Sequence, residues 1–299
     1  MYEKIFVFAA DADSSASLVS ALRASCEKLY LLCPDSAAVS GADEVYTYPA
    51  SESLVCRVRD AVQLIKDAAP QLLVCDSSAD GRLLAGYAAA ALHCSPLCDV
   101  MSLETADDGV TAARMVYGGA ATEAVRTSLP AVVTAAAGLF PAAECAPAAS
   151  TKAIPYAENN EPKLLSVSHE ASVKKVNLAV AKKIVGIGRG ISSADNIPAA
   201  EKLAGLLGAE IGCTRPVAEE EHWYPKERYI GVSGCMTKPE LYLALGISGQ
   251  IQHMVGVNQA GVIFAVDKSE NAPIFAQADH CLVADINTAL PALIELLSK

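Results

Sequence analysis

The sequence predicts an α/β protein of two domains, each on a mainly parallel sheet, the first of Rossmann-like, nucleotide-binding type. Two observations carry this. Short β-branched runs alternate with Ala- and Leu-rich stretches of helical length, the pattern of βαβ units. That periodicity fails from Cys145 to about Val173, where Pro147, Pro155 and Pro162 punctuate a polar stretch containing Glu158-Asn159-Asn160-Glu161, as in a linker. The 299 residues are enough chain for two ordinary domains, divided here as 1–173 and 174–299.

Taken in order, the first half reads as a strand at Ile5–Ala9, a helix near Ser15–Ser25, a strand at Leu29–Cys33, a helix over Ser53–Ala68 and a strand at Leu72–Cys75. A helix over Gly81–Leu92, an extended segment at Ala113–Tyr117 and a strand at Ala131–Ala135 complete it. The second half opens with a strand at Lys183–Ile187, the turn Gly188-Arg189-Gly190 and a helix from about Ala199 to Leu207. Strands follow at Glu210–Cys213, Tyr229–Val232, Leu241–Leu245, Gly261–Val266 and Cys281–Val283, then a helix at Leu290–Leu297.

Composition excludes several classes. Lys plus Arg number 23 against 34 Asp plus Glu, so a net charge of -11 repels phosphate backbones and speaks against a nucleic-acid partner. The longest apolar stretch, Leu129–Ala143, is bounded by Pro130 and Pro141 and falls short of the roughly 20 residues of a spanning helix, so no membrane insertion is expected. Met1-Tyr2-Glu3-Lys4 leads straight into an apolar strand without the features of a signal or transit peptide, so a cytoplasmic protein is expected. Ten cysteines lie scattered in apolar runs, as reduced core thiols do. His93-Cys94-Ser95-Pro96-Leu97-Cys98 has a metal-like spacing but no second pair of ligands to close a zinc site. The pairs Asp11/Asp13 and Asp107/Asp108 read as turn and cap carboxylates.

Chemistry is expected at turns that leave the carboxyl ends of parallel strands. Gly186-Ile187-Gly188-Arg189-Gly190 follows a strand and precedes a helix, with Ser192, Ser193 and Asp195 available as caps. It either cradles a phosphate with Arg189 or is plain turn chemistry, and it is not the G-x-G-x-x-G fingerprint. Gly231-Val232-Ser233-Gly234 offers the Ser233 hydroxyl to a ligand. In Gly246-Ile247-Ser248-Gly249-Gln250-Ile251-Gln252-His253, Ser248 can cap a helix whose first turn presents Gln250, Gln252 and His253. Three such turns, with Arg189 and Arg215 on neighbouring loops, suit a large anionic cofactor, although His253 reads equally as a satisfied structural histidine and Arg215 as a surface charge.

The stretch Leu241 to Lys268, LYLALGISGQIQHMVGVNQAGVIFAVDK, closely resembles the signature of the electron transfer flavoprotein alpha subunit. The Gly188–Gly190 turn, Cys213-Thr214-Arg215-Pro216, Val232-Ser233-Gly234 and Ala272-Pro273-Ile274-Phe275 fall around it in the family's order. Gly81-Arg82 and Arg114-Met115-Val116-Tyr117-Gly118-Gly119 extend the resemblance through nearly the whole chain.

The resemblance implies an alpha–beta heterodimer, with residues 1–173 contacting the beta subunit and 174–299 binding FAD. It implies electron shuttling from an acyl-CoA dehydrogenase-like or related donor to a downstream acceptor, quinone- or ferredoxin-linked. Carried over by position, Arg189 and Gly246, Ile247, Ser248, Gly249, Gln250, Ile251, Gln252 and His253 would contact FAD along its pyrophosphate and ring edge, with His253 at the flavin O2 edge. Ser233 would lie near flavin N5, flanked by Ile230, Gly231 and Val232, and Arg215, beside Thr214, would lie over the isoalloxazine. Leu241, Asp267 and Lys268 complete the set, with Asp285 and Ile286 toward the adenosine. Cation and donors there favour the negative charge that reduction puts on the flavin.

Three departures stand out. Val232 and Cys235 replace the family's Gln and Lys, Asp267 replaces Asn, and the Glu219–Trp223 loop is one residue longer. Two further readings therefore stand beside the first: a flavin- or nucleotide-binding assembly or regulatory module without efficient electron transfer, and a pyridine-nucleotide enzyme. The second of these lacks both a full fingerprint and a catalytic pair.

Overall fold

A computed structural model of the chain describes every residue except 120, 137, 142, 155–165, 167–175 and 299. The chain forms two compact units, Met1–Val116 with Thr122–His169, and Tyr117–Ala121 with Glu170–Lys299. The division expected at 173/174 lies outside the described residues.

In the first unit the elements are β1 (Tyr2–Phe8), α1 (Ala12–Leu22), β2 (Cys26–Pro34), β3 (Glu44–Tyr48), α2 (Val58–Ala68), β4 (Leu72–Asp76), α3 (Ala79–Ala91), β5 (Pro96–Ala106), β6 (Gly109–Val116), β7 (Ala121–Ser128), β8 (Ala131–Ala135) and β9 (Lys152–Ala153). They form one sheet in the order β7-β6-β5-β8-β4-β1-β2-β3-β9, parallel from β5 through β8 to β9, with β5 and β6 antiparallel. Alternation along β1 and β4 serves two cores. Ile5, Val7, Leu72 and Val74 face one helical layer, and Phe6, Phe8, Leu73 and Cys75 the other. Side chains of this kind, fully buried, each stabilise by about 1.5–3 kcal/mol. Asp11 caps α1 by accepting from Ser14 N, and Asp108 pairs with Arg126, so these carboxylates have the cap and turn partners expected of them.

Three features differ from expectation. Strand β3 falls between the strand and helix expected at Leu29–Cys33 and Ser53–Ala68, where no element was assigned, because its five residues mix Glu and Thr with Val and Tyr and form no apolar run. The antiparallel strands β5–β7 replace a single extended segment. Their faces are half exposed and carry Glu104, Thr105, Glu123 and Arg126, so no apolar run marks them. Pro147, placed in a linker, bridges Val39, and Lys152–Ala153 extends the sheet edge.

The second unit contains β10 (Lys183–Ile187), α4 (Ile197–Leu207), β11 (Glu210–Cys213), α5 (Arg215–Glu219), β12 (Leu241–Leu245), α6 (Ile251–Met254), β13 (Val262–Asp267), β14 (His280–Val283) and α7 (Ile286–Leu297). Its five strands are parallel in the order β11-β10-β12-β13-β14. Val185, Leu243 and Leu245 face α4 and α7, while Ile184, Tyr242 and Ala244 face Ile230, Met254 and Ile274. Helix α4 carries Pro198 in its first turn and stops at Gly208, which takes the left-handed conformation that glycine adopts without cost. Among the described residues no helix is long and apolar enough to cross a membrane.

Tyr229–Val232 is not a strand. It makes only isolated bridges, Cys213 with Tyr229 and Ile230 with Cys235, because Gly231, at φ +148°, folds the chain back until its N–H donates to Cys235 O. The helix expected after Ser248 is a single turn capped at Gln250, so Ser248 does not cap it; its carbonyl accepts from Ile274 N instead.

Candidate functional site

Strand order locates the site. From β10 the chain crosses to β11 on one side and from β12 to β13 on the other, so the connections leave in opposite directions and a crevice opens at the carboxyl ends of β10 and β12. A cavity of about 550 Å³ lies there, lined by Gly188–Gly190, Thr214–Pro216, Tyr229, Val232, Ser233, Gly246–Gln250, Gln252, His253 and Asp267, all in the second unit. That volume is ordinary for a small-molecule or cofactor site.

Glycine makes the floor possible. Gly188 N donates to Leu245 O and Gly190 N to Gly246 O, each at 2.9 Å, drawing the two turns together. A β-carbon on Gly190 would lie 2.6 Å from Gly246 O, and one on Gly249 would lie 2.5 Å from Ile274 Cα. Gly246 and Gly249 also need positive φ, +63° and +88°. The Pro273–Ala276 turn thus supports the Ser248–Gly249 turn from behind.

Two cations line the cavity, each held by a carboxylate on the far end of one short helix. Arg215, the first residue of α5, donates from Nε to Glu219 Oε2 at 2.6 Å, one turn on. Glu219 also lies 3.8 Å from Lys226 Nζ, and Arg189 Nη1 donates to Glu220 Oε2 at 3.1 Å. The hydrogen bond from Arg215 holds the Glu219 carboxyl below the usual range and raises Arg215 in turn. Both arginines are well exposed, so these pairs are loose and either guanidinium can turn to an anion in the cavity. Ser233 Oγ lies 2.9 Å from Tyr229 Oη, and Asp267 Oδ1 accepts from Ser269 N.

His253 corrects one expectation. Its Nδ1 lies 3.0 Å from Ile230 O, which can only accept, so Nδ1 carries the proton; Nε2, 2.7 Å from Tyr242 Oη, then accepts. Both nitrogens are spent inside the fold. Burial pushes the ring down to about 4, so it is neutral at ordinary pH and offers the cavity an uncharged edge rather than a cation or a free N–H donor. Gly186 makes room for this pair, since a β-carbon there would collide with Tyr242 Oη.

Of the residues singled out from the sequence, Arg189, Thr214, Arg215, Val232, Ser233, Gly246, Ile247, Ser248, Gly249, Gln250, Gln252, His253 and Asp267 come together at the cavity. The rest do not line it. Leu241 opens β12 at the end opposite the turn. Ile230 is fully buried in the core and contributes its carbonyl to His253. Gly231 is spent on the backbone turn, Ile251 points to solvent, and Lys268 is exposed one residue beyond Asp267. Asp285 caps α7 by accepting from Asn287 N at 2.8 Å, and Ile286 packs in the core beside α4. Gly188, Gly190, Pro216 and Tyr229 line the cavity without having been marked as site residues; the glycines stood inside a motif already noted, whereas nothing in the local sequence announces Tyr229.

Comparison with known proteins agrees with this geometry. Residues 177–258 match the electron transfer flavoprotein FAD-binding domain, and residues 12–181 match the electron transfer flavoprotein domain. The chain is 40% identical over 239 residues, 79% of its length and 77% of the relative's, to YdiR of Escherichia coli K12, which bears the name of an electron transfer flavoprotein subunit. It is 42% identical over 233 residues, 76% of its length and 74% of the relative's, to Protein FixB of Escherichia coli O139:H28. Protein FixB of Escherichia coli O1:K1 is 41% identical over the same span. The chain belongs to the electron transfer flavoprotein alpha-subunit family, and the stretch that matches its FAD-binding domain supplies every residue lining the switch-point cavity except Asp267.

Proposed function

We propose that the switch-point cavity holds FAD and that the chain works with a beta-type subunit as a cytoplasmic electron carrier. In this reading it accepts electrons from an acyl-CoA dehydrogenase-type or related oxidoreductase and delivers them to a quinone- or ferredoxin-linked acceptor. The observation that carries the reading is the meeting of two exposed arginines, a serine hydroxyl and the Gly188–Gly190 and Gly246–Gln250 turns at one crevice of the family's FAD-binding domain. Such a donor set fits a dinucleotide: cations for a diphosphate, polar groups for ring and ribityl edges, and glycine turns that let the backbone approach.

FAD, when bound, supplies the one- and two-electron redox chemistry. This chain's residues bind, orient and tune. Arg189 and Arg215 offer positive charge, which favours reduction of whatever they face. Ser233, Ser248, Gln250 and Gln252 offer hydrogen-bonding groups around the wall. Neutral His253 ties Ile230 to Tyr242 and keeps that wall rigid without adding charge. Val232, 48% exposed at the cavity, has no polar side chain to give, which favours a second reading in which the chain binds flavin as an assembly module without efficient electron transfer.

The test is anaerobic mixing of the FAD-loaded two-subunit complex with a catalytic amount of acyl-CoA dehydrogenase and excess acyl-CoA. Bleaching of the carrier's flavin supports the first reading. Flavin that dithionite reduces but no dehydrogenase does supports the second.

A further inference from the structure

We propose that Tyr229 is a positioning residue: it fixes the Ser233 hydroxyl at the cavity wall with its O–H turned toward the bound cofactor. This rests on the reading of the cavity as the FAD site. Tyr229 is only 6% exposed, yet it reaches the cavity, and its hydroxyl lies 2.9 Å from Ser233 Oγ.

The intervening turn is built around the ring. A β-carbon on Gly231 would lie 3.2 Å from the ring's Cε2 and from its hydroxyl, and one on Gly234 would lie 2.7 Å from Cδ1. Only glycine at both positions lets the chain wrap so closely. Three backbone bonds lock the wrap: Gly234 N to Gly231 O, Cys235 N to Tyr229 O, and Gly231 N to Cys235 O. Val232 N is tied to Gln252 O at 2.8 Å, which anchors the turn to helix α6. Ser233 therefore has little backbone freedom, and the Tyr229 hydroxyl is the protein group that orients its side chain.

The direction of the bond follows from acidity. A phenol is a better donor than an alkyl hydroxyl, so Tyr229 donates and Ser233 accepts. The serine's own proton is then free to be donated into the cavity, to an acceptor atom at the flavin's edge. With the phenol absent, the serine can turn its proton to the backbone or to water, and the cofactor loses an oriented donor. A preoriented donor binds more tightly than a rotating one because its ordering cost is already met.

The experiment uses the full chain purified with its beta-type partner, as wild type, Tyr229→Phe, Ser233→Ala and the double variant. FAD affinity is measured by flavin fluorescence on titration into deflavinated complex, and the first reduction potential by dye-coupled titration. Tyr229→Phe and Ser233→Ala are each expected to weaken FAD about three- to tenfold and to shift the potential in the same direction. The double variant should be no worse than the weaker single one, since both remove the same donor. Additive losses, or a Tyr229→Phe complex indistinguishable from wild type in both measurements, would overturn the proposal. A wild-type complex that takes up no FAD would instead overturn the cofactor reading beneath it, and this proposal with it.

Discussion

Acidification should destabilise the second unit through one residue. His253 is held neutral, with Nδ1–H donating to Ile230 O and Nε2 accepting from Tyr242, and burial lowers it from 6.5 to about 4. In the unfolded chain the same imidazole is ordinary. Between these values the unfolded state binds a proton that the folded state refuses, so stability present above about pH 6.5 falls as pH drops toward 4 and levels off below. From about pH 7 to pH 5 the linkage of this one group amounts to about 2 kcal/mol. Guanidinium melts of wild type and His253→Gln at both pH values isolate it, because other titrating groups cancel in the difference. Wild type should lose about 2 kcal/mol more than the variant on acidification. Equal losses would refute the assignment of a buried, neutral, doubly bonded ring.

Three further outcomes follow from the cavity's construction. Glu219→Gln frees Arg215 from its carboxylate, and FAD should bind about two- to fivefold more tightly at low salt, with a higher first reduction potential and a gain that shrinks as salt is added; no response in a salt-dependent titration would put Arg215 away from the cofactor. Asp267→Asn replaces a carboxylate on the cavity wall by an amide, and affinity measured by equilibrium dialysis should rise if that side chain faces phosphate and stay constant if it faces elsewhere. Gly246→Ala adds a methyl group against Gly190 at a positive-φ position and should cost about 1–3 kcal/mol in denaturant melts, with flavin retention lost in parallel.

Much of the second unit was legible because its central strands β10 and β12 are buried almost throughout and read as apolar runs; Glu210–Cys213 and Leu241–Leu245 fall where the sequence placed them. The glycine turns were legible for a related reason, since a strand ending in Gly-x-Gly needs close approach. Strands β5–β7 were not, because half-exposed antiparallel strands mix polar and apolar residues without a run to mark them. Position along the chain did not report where Leu241 and Ile230 lie: a motif gives order, but only the fold puts Leu241 at the end of its strand away from the cavity and Ile230 in the core. The sequence left His253 open between a cofactor donor and a satisfied structural histidine because it stands in a site-forming segment. Its partners, Tyr242 and Ile230, lie eleven and twenty-three residues away, and no local pattern reports them. Tyr229 was hidden by the same cause, its role arising from a turn that wraps the ring.

The visible absorption spectrum of the chain purified with its beta-type partner tests the central claim, that the crevice between β10 and β12 holds FAD. A flavin spectrum equivalent to about one FAD per alpha chain, lost when Gly249→Val fills the space beneath the Ser248–Gln250 turn, is the predicted result. A colourless complex that added FAD does not reconstitute, or flavin retained undiminished by that substitution, would contradict it.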